Sequence, residues 1–126
     1  MSDEQLLLIA KEASKNSYSS YSGICVGAAL ETESGKIYTG VNVENSSYGG
    51  TICAERTAFV KAVSEGERKF KRIAVAGSIN NLVPCGICRQ FMSEFNKNLK
   101  IIYEGTDGCI KCTDLETLFP ESFSLI

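Results

Sequence analysis

The sequence predicts an α/β chain, a three-layer α/β/α arrangement around one five-stranded mixed sheet. Three observations predict it. Segments with apolar residues at helical spacing alternate with short apolar or alternating runs, in the order α-β-β-α-β-α-β-β-α. The run Ile24–Thr32 is apolar on both faces, which marks a strand covered from both sides. The chain has 126 residues and no linker or internal repeat, so the elements share one domain, 1–126.

Each element has its own signal. Ser2 and Gln5 have capping-box spacing, and Leu6, Ile9, Ala10 and Ala13 follow at helical spacing, so a helix runs from Ser2 to about Lys15. Asn16–Gly23 is a loop of Ser, Tyr and Gly. Ile24–Thr32 is a strand, Ser34-Gly35 turns the chain, and the alternating Lys36–Val43 is its hairpin partner. Glu44–Gly50 is loop, and Cys53–Ser64 is helical. Arg72–Gly77 is a short apolar strand, and Ser78–Pro84 is loop. Cys85–Asn96 is a helix with Phe91, Met92 and Phe95 on one side. Lys100–Glu104 is a strand, Thr106-Asp107-Gly108 a turn, and Cys109–Thr113 a last short strand. Thr113 and Glu116 box the start of a short helix that Pro120 ends.

Composition narrows the function classes. The chain is 44% hydrophobic with a net charge of −2, which disfavours a nucleic-acid partner. The longest apolar stretch, Gly23–Leu30, is far short of the roughly 20 residues of a membrane helix. The acidic start Met1-Ser2-Asp3-Glu4 has no cleavage site after it, so the expectation is a cytoplasmic protein with no membrane partner. Arg68-Lys69-Phe70-Lys71-Arg72 reads as a solvated helix exit.

The chain has no histidine and six cysteines. In a cytoplasmic chain that points to metal, redox chemistry or core packing, not a disulfide framework. A metal site must then be built from thiolates and carboxylates. Cys85-Gly-Ile-Cys88 and Cys109-Ile-Lys-Cys112 are separated by twenty residues, at the edge of the spacing of a closed structural zinc ribbon. Local structure weighs against that pairing. Cys109 and Cys112 lie on a predicted strand, where residues three apart face opposite ways, so they read as strand core, as does Cys25. Cys85 and Cys88 follow Pro84 and open a helix, where residues three apart share a face. A thioredoxin-like redox pair belongs near the chain start after a first strand, which is not its place here. Cys53 opens the other internal helix, and Glu55 sits two residues on. Three cysteines and a water would make an open, catalytic zinc site.

Cys53-Ala54-Glu55 followed by Pro84-Cys85-Gly86-Ile87-Cys88 resembles the zinc deaminase signature in its all-cysteine form, for which that family is the standard example. Asn42-Val43-Glu44-Asn45, Tyr48, Cys53–Thr57, Pro84–Gln90, Tyr21-Ser22 and Pro120–Phe123 extend the resemblance to the small, homotetrameric cytidine deaminases, nearly end to end. The resemblance implies a cytidine deaminase-like fold. It also implies hydrolytic deamination of cytidine or deoxycytidine to the uridine and ammonia, in pyrimidine salvage. Zinc would be held by Cys53, Cys85 and Cys88, with Glu55 as the proton carrier and Arg56 donating to the sulfurs. Substrate contacts would come from Asn42, Glu44, Ala54, Ile24, Tyr48 and Phe123, the last two reaching a neighbouring subunit's substrate. Ile24 departs from the family, which commonly has phenylalanine there. Two other readings stand beside this one: a deaminase of another aminated base or nucleoside analogue, and a zinc-ribbon interaction module.

Overall fold

Ser2 starts the first helix with the expected capping box. Its hydroxyl accepts from the Gln5 N–H at 3.1 Å, and the Gln5 side chain accepts from the Ser2 N–H at 2.9 Å. In this computed structural model, which describes residues 1–126, the helix α1 covers Asp3–Ala13 and ends in a 3-10 turn over Ser14–Asn16. Strands β1 (Val26–Thr32) and β2 (Ile37–Val41) form the expected antiparallel hairpin. Helix α2 (Ala54–Ser64), strand β3 (Phe70–Gly77) and helix α3 (Gly86–Ser93) follow. Strands β4 (Lys100–Glu104) and β5 (Ile110–Asp114) and the short helix α4 (Leu115–Leu118) complete the order.

The sheet order is β2-β1-β3-β4-β5, with β3 and β4 parallel and the other neighbours antiparallel. The mixed five-stranded sheet is therefore the one expected. Its strands divide their side chains between two cores, as period-two alternation requires. Ala28, Leu30, Ile73, Val75 and Ile101 face Ala58, Phe59 and Met92 of α2 and α3. Ala29, Ala74, Ala76 and Ile102 face Leu6, Leu7 and Ala10 of α1. Phe59, Phe70 and Phe95 cluster on the α2/α3 side, with Phe59 and Phe70 ring centroids 4.7 Å apart. At Gly40 a side chain would lie 2.4 Å from the Ala58 nitrogen, so only glycine lets β2 approach the backbone of α2.

Three expectations are corrected. Cys109 and Cys112 are exposed, not strand core: Cys109 precedes β5, and Cys112 sits on that edge strand, where its thiol meets the Asp3 carboxylate at 3.3 Å. The basic run is not a solvated helix exit. Phe70 opens β3 and is buried, and Arg72 is buried where its guanidinium meets Glu31 at 2.6 Å and Asp3 at 2.5 Å. The cap of α4 is Asp114, which accepts from the Thr117 N–H at 2.7 Å, one residue after the expected Thr113.

Candidate active site

Two helices begin at cysteines and point at the same place. Cys53 is the N-cap of α2 and Cys85 the N-cap of α3; both are extended, and neither spends its side chain on capping. Cys88, one turn into α3, is buried on the same side. The three sulfurs lie within 4.8 Å of one another, with Cys53 and Cys85 3.7 Å apart. Zinc–sulfur bonds of about 2.3 Å in a tetrahedron set sulfurs about 3.8 Å apart, so the group fits zinc in donor type and spacing. Both helix N-termini add positive potential. Cys109 and Cys112 take no part in this group, so the ribbon pairing does not form.

The thiols compete for charge. A hydrogen bond from Cys88, then one from Arg56, brings the Cys53 thiol down to about 5. Cys88 is pushed far up by donating to Cys53 and by burial. Three sulfurs this close hold little charge by themselves, and a divalent cation allows all to ionise. Arg56 directs Nη2 at the Cys53 sulfur, 3.6 Å away, while its Nε is buried without a hydrogen-bond partner.

Glu55, the second residue of α2, is 4% exposed. Burial pushes its carboxyl up to about 7, and the neighbouring Cys53 sulfur adds to the shift. It shares a cavity of about 230 Å³ with Cys53, Cys85, Ala54, Asn42 and Glu44. A short antiparallel bridge joins the two halves of that cavity. Val43 and Ile52 exchange both N–H···O bonds at 3.0 Å, which ties the end of the β1–β2 hairpin to the start of α2.

Asn42 and Glu44 enter from one side, as their two-residue spacing requires. The Asn42 amide is largely committed within the protein. Oδ1 accepts from the Val26 N–H at 2.9 Å and from the Ser17 hydroxyl, and Nδ2 donates to the Ile24 carbonyl at 2.8 Å. One Nδ2 hydrogen is left for a ligand. Hydrogen bonds from the Ser22 hydroxyl, the Ser22 N–H and the Tyr21 N–H hold the Glu44 carboxyl below its usual range.

Three of the expected contact residues lie outside this cavity. Tyr48 is 79% exposed and lines an adjoining cleft with Tyr21 and Glu44. Phe123 is 63% exposed, with its carbonyl accepting from Gln90 Nε2 at 3.2 Å. Ile24 is at the surface and not in the lining. The apolar wall instead comes from Val26, Ile52, Val75, Leu82 and Val83, none of them singled out by sequence. Val26 and Val75 sit on β1 and β3, and nothing local marks a strand residue at the end of a sheet as cavity wall.

Residues 1–105 match the family model of the cytidine and deoxycytidylate deaminase zinc-binding region. The chain is 46% identical over 126 residues to a cytidine deaminase of Sporosarcina psychrophila, covering 98% of this chain and 93% of that relative. It is 46% identical over 123 residues to a probable cytidine deaminase of Dictyostelium discoideum, covering 96% and 83%. A 1.6 Å crystal structure of cytidine deaminase from Burkholderia pseudomallei has a TM-score of 0.91 and 42% identity, over 98% of this chain and 100% of that one.

Proposed function

The chain belongs to the cytidine and deoxycytidylate deaminase family, and from that premise we propose that residues 1–126 form one catalytic domain that deaminates cytidine and deoxycytidine. The reaction is hydrolytic: nucleoside and water yield the uridine and ammonia. The observation that carries this reading is the convergence of Cys53, Cys85 and Cys88 beside buried Glu55, in one cavity that also holds Asn42 and Glu44.

Cys53, Cys85 and Cys88 would hold the zinc, which would supply a water acidic enough to lose its proton near neutral pH. Glu55 accepts that proton and passes it to ring N3 of cytosine. The water oxygen forms the new bond to C4. Glu55 then takes the remaining proton of that oxygen and hands it to the exocyclic amine, so that C4=O forms as the C4–N bond breaks and ammonia leaves. Burial shields the carboxyl from bulk water through these transfers. Arg56 offsets the excess negative charge of three sulfurs. The apolar walls hold the base, and Asn42, Glu44 and Ala54 meet the nucleoside.

Exposed Tyr48 and Phe123 suit contacts between subunits, which supports a homotetramer with shared sites. The cytoplasm is the proposed site of action. No helix is long and apolar enough to cross a membrane.

Ammonia release by the zinc-loaded protein from cytidine, deoxycytidine and deoxycytidylate tests the reading. Both nucleosides are expected to react. The nucleotide should be poor, because the cavity is lined by Glu44, Glu55 and cysteines and by no cationic side chain. Preference for deoxycytidylate, or for another aminated base, would overturn it.

A further inference from the structure

We propose that Ser22 is a positioning residue that presents a single free acceptor site of Glu44 to a sugar hydroxyl; this rests on the nucleoside deaminase reading above. The Glu44 carboxylate is held from one side by the turn before β1. Its Oε1 accepts the N–H of Tyr21 at 2.9 Å and of Ser22 at 3.0 Å. Its Oε2 accepts the Ser22 hydroxyl at 2.5 Å. Each carboxylate oxygen has room for about two donors, so Oε1 is filled and Oε2 keeps one place.

The Ser22 hydroxyl is itself fixed. Its oxygen accepts the Ile24 N–H at 3.0 Å, so its hydrogen is directed to Glu44. A donor whose oxygen already accepts is polarised and gives the stronger hydrogen bond. The turn that makes this possible needs Gly23, whose φ of +72° lies in the left-handed region, and whose N–H donates to the Ser19 carbonyl at 2.9 Å. Glu44 borders both the main cavity and the adjoining cleft of Tyr21 and Tyr48, so an unfixed carboxylate could turn into either. Ser22 selects one orientation. A freely turning Glu44 would pay the cost of ordering each time substrate binds.

The sugar is bound away from the reacting C4. A loss of positioning there removes binding shared by substrate and transition state, which raises KM and leaves kcat. The test measures KM and kcat for cytidine with zinc-loaded wild type, Ser22→Ala and Ser22→Thr, together with melting temperatures. Ser22→Ala is expected to raise KM roughly three- to tenfold, the range of one ordinary net hydrogen bond, with kcat unchanged. Ser22→Thr keeps the hydroxyl and should restore KM. An unchanged KM in Ser22→Ala overturns the proposal. So does a fall in Tm without a rise in KM, which would make Ser22 structural only, and so does failure of Thr to rescue. Wild type that does not turn over cytidine would instead bring down the deaminase reading, and the inference with it.

Discussion

Replacing Arg56 by alanine should weaken zinc binding about 10–100-fold, the usual effect of removing a partner one step behind a metal ligand. The structure sets the reasoning. Three thiolates and a dication carry a net charge of −1, and Arg56 brings it to zero. Its Nη2 is 3.6 Å from the Cys53 sulfur. Unit charges at that distance interact by about 4–5 kcal/mol at an effective dielectric of 20, before desolvation and ordering are subtracted. A 10–100-fold change corresponds to about 1.4–2.7 kcal/mol, which fits inside that ceiling. Arg56→Lys keeps the charge but loses the planar fork, so it should fall between the two. Turnover should fall as well, since uncompensated thiolates make zinc a poorer Lewis acid. Competition against a chromophoric chelator measures affinity, and a cytidine assay at saturating zinc measures turnover. Unchanged affinity together with unchanged turnover in Arg56→Ala would refute the reasoning.

Cys53→Ala should lose zinc while Cys109→Ala keeps it, read by metal analysis after gel filtration; the reverse result would restore the ribbon pairing. Asn42→Ala strips the Val26 N–H and the Ile24 carbonyl of their partners. Leaving these partly buried groups unpaired costs at most about 1–3 kcal/mol, so urea unfolding should show lost stability as well as weaker nucleoside binding. Acid should unfold the protein partly through Asp3 and Glu31. Hydrogen bonding to Lys100 lowers Asp3 to about 2, and Arg72 lowers Glu31. Because the folded values lie below the unfolded ones, this stability is present above the ordinary carboxylate range and is lost as pH falls through the folded values. Arg72→Met should flatten the fall in urea midpoint across that acid range, and an unaltered slope would count against the cluster.

What the sequence revealed was mostly what neighbours along the chain decide. The Ser2/Gln5 box, the Ser34-Gly35 turn of the hairpin and the cysteine start of each of α2 and α3 depend on residues within four positions of one another. The metal group was legible because Cys85 and Cys88 share a helix face, and because Cys53 stands in a motif whose family resemblance joins it to them. Cys109 and Cys112 were misplaced because a strand's pattern does not say whether the strand lies at the edge of its sheet. Arg72 looked like a surface charge because its partner, Glu31, is 41 residues away on another strand. The same distance problem hid the role of Ser22, whose bond to Glu44 spans 22 residues. The Val43–Ile52 bridge, which joins the Asn42/Glu44 side of the cavity to the cysteine side, has no motif of its own.

The central claim is that Glu55 moves protons beside a zinc ion it does not hold. The most direct measurement follows the conversion of cytidine to uridine by ultraviolet absorbance, for wild type and Glu55→Gln, with zinc content determined on the same samples. The account predicts equal zinc in both and turnover lost in the variant by more than the ~10²–10⁴ of a single acid–base group, since this one serves several transfers. Substantial turnover by a zinc-loaded Glu55→Gln protein, or loss of zinc from it, would contradict the account.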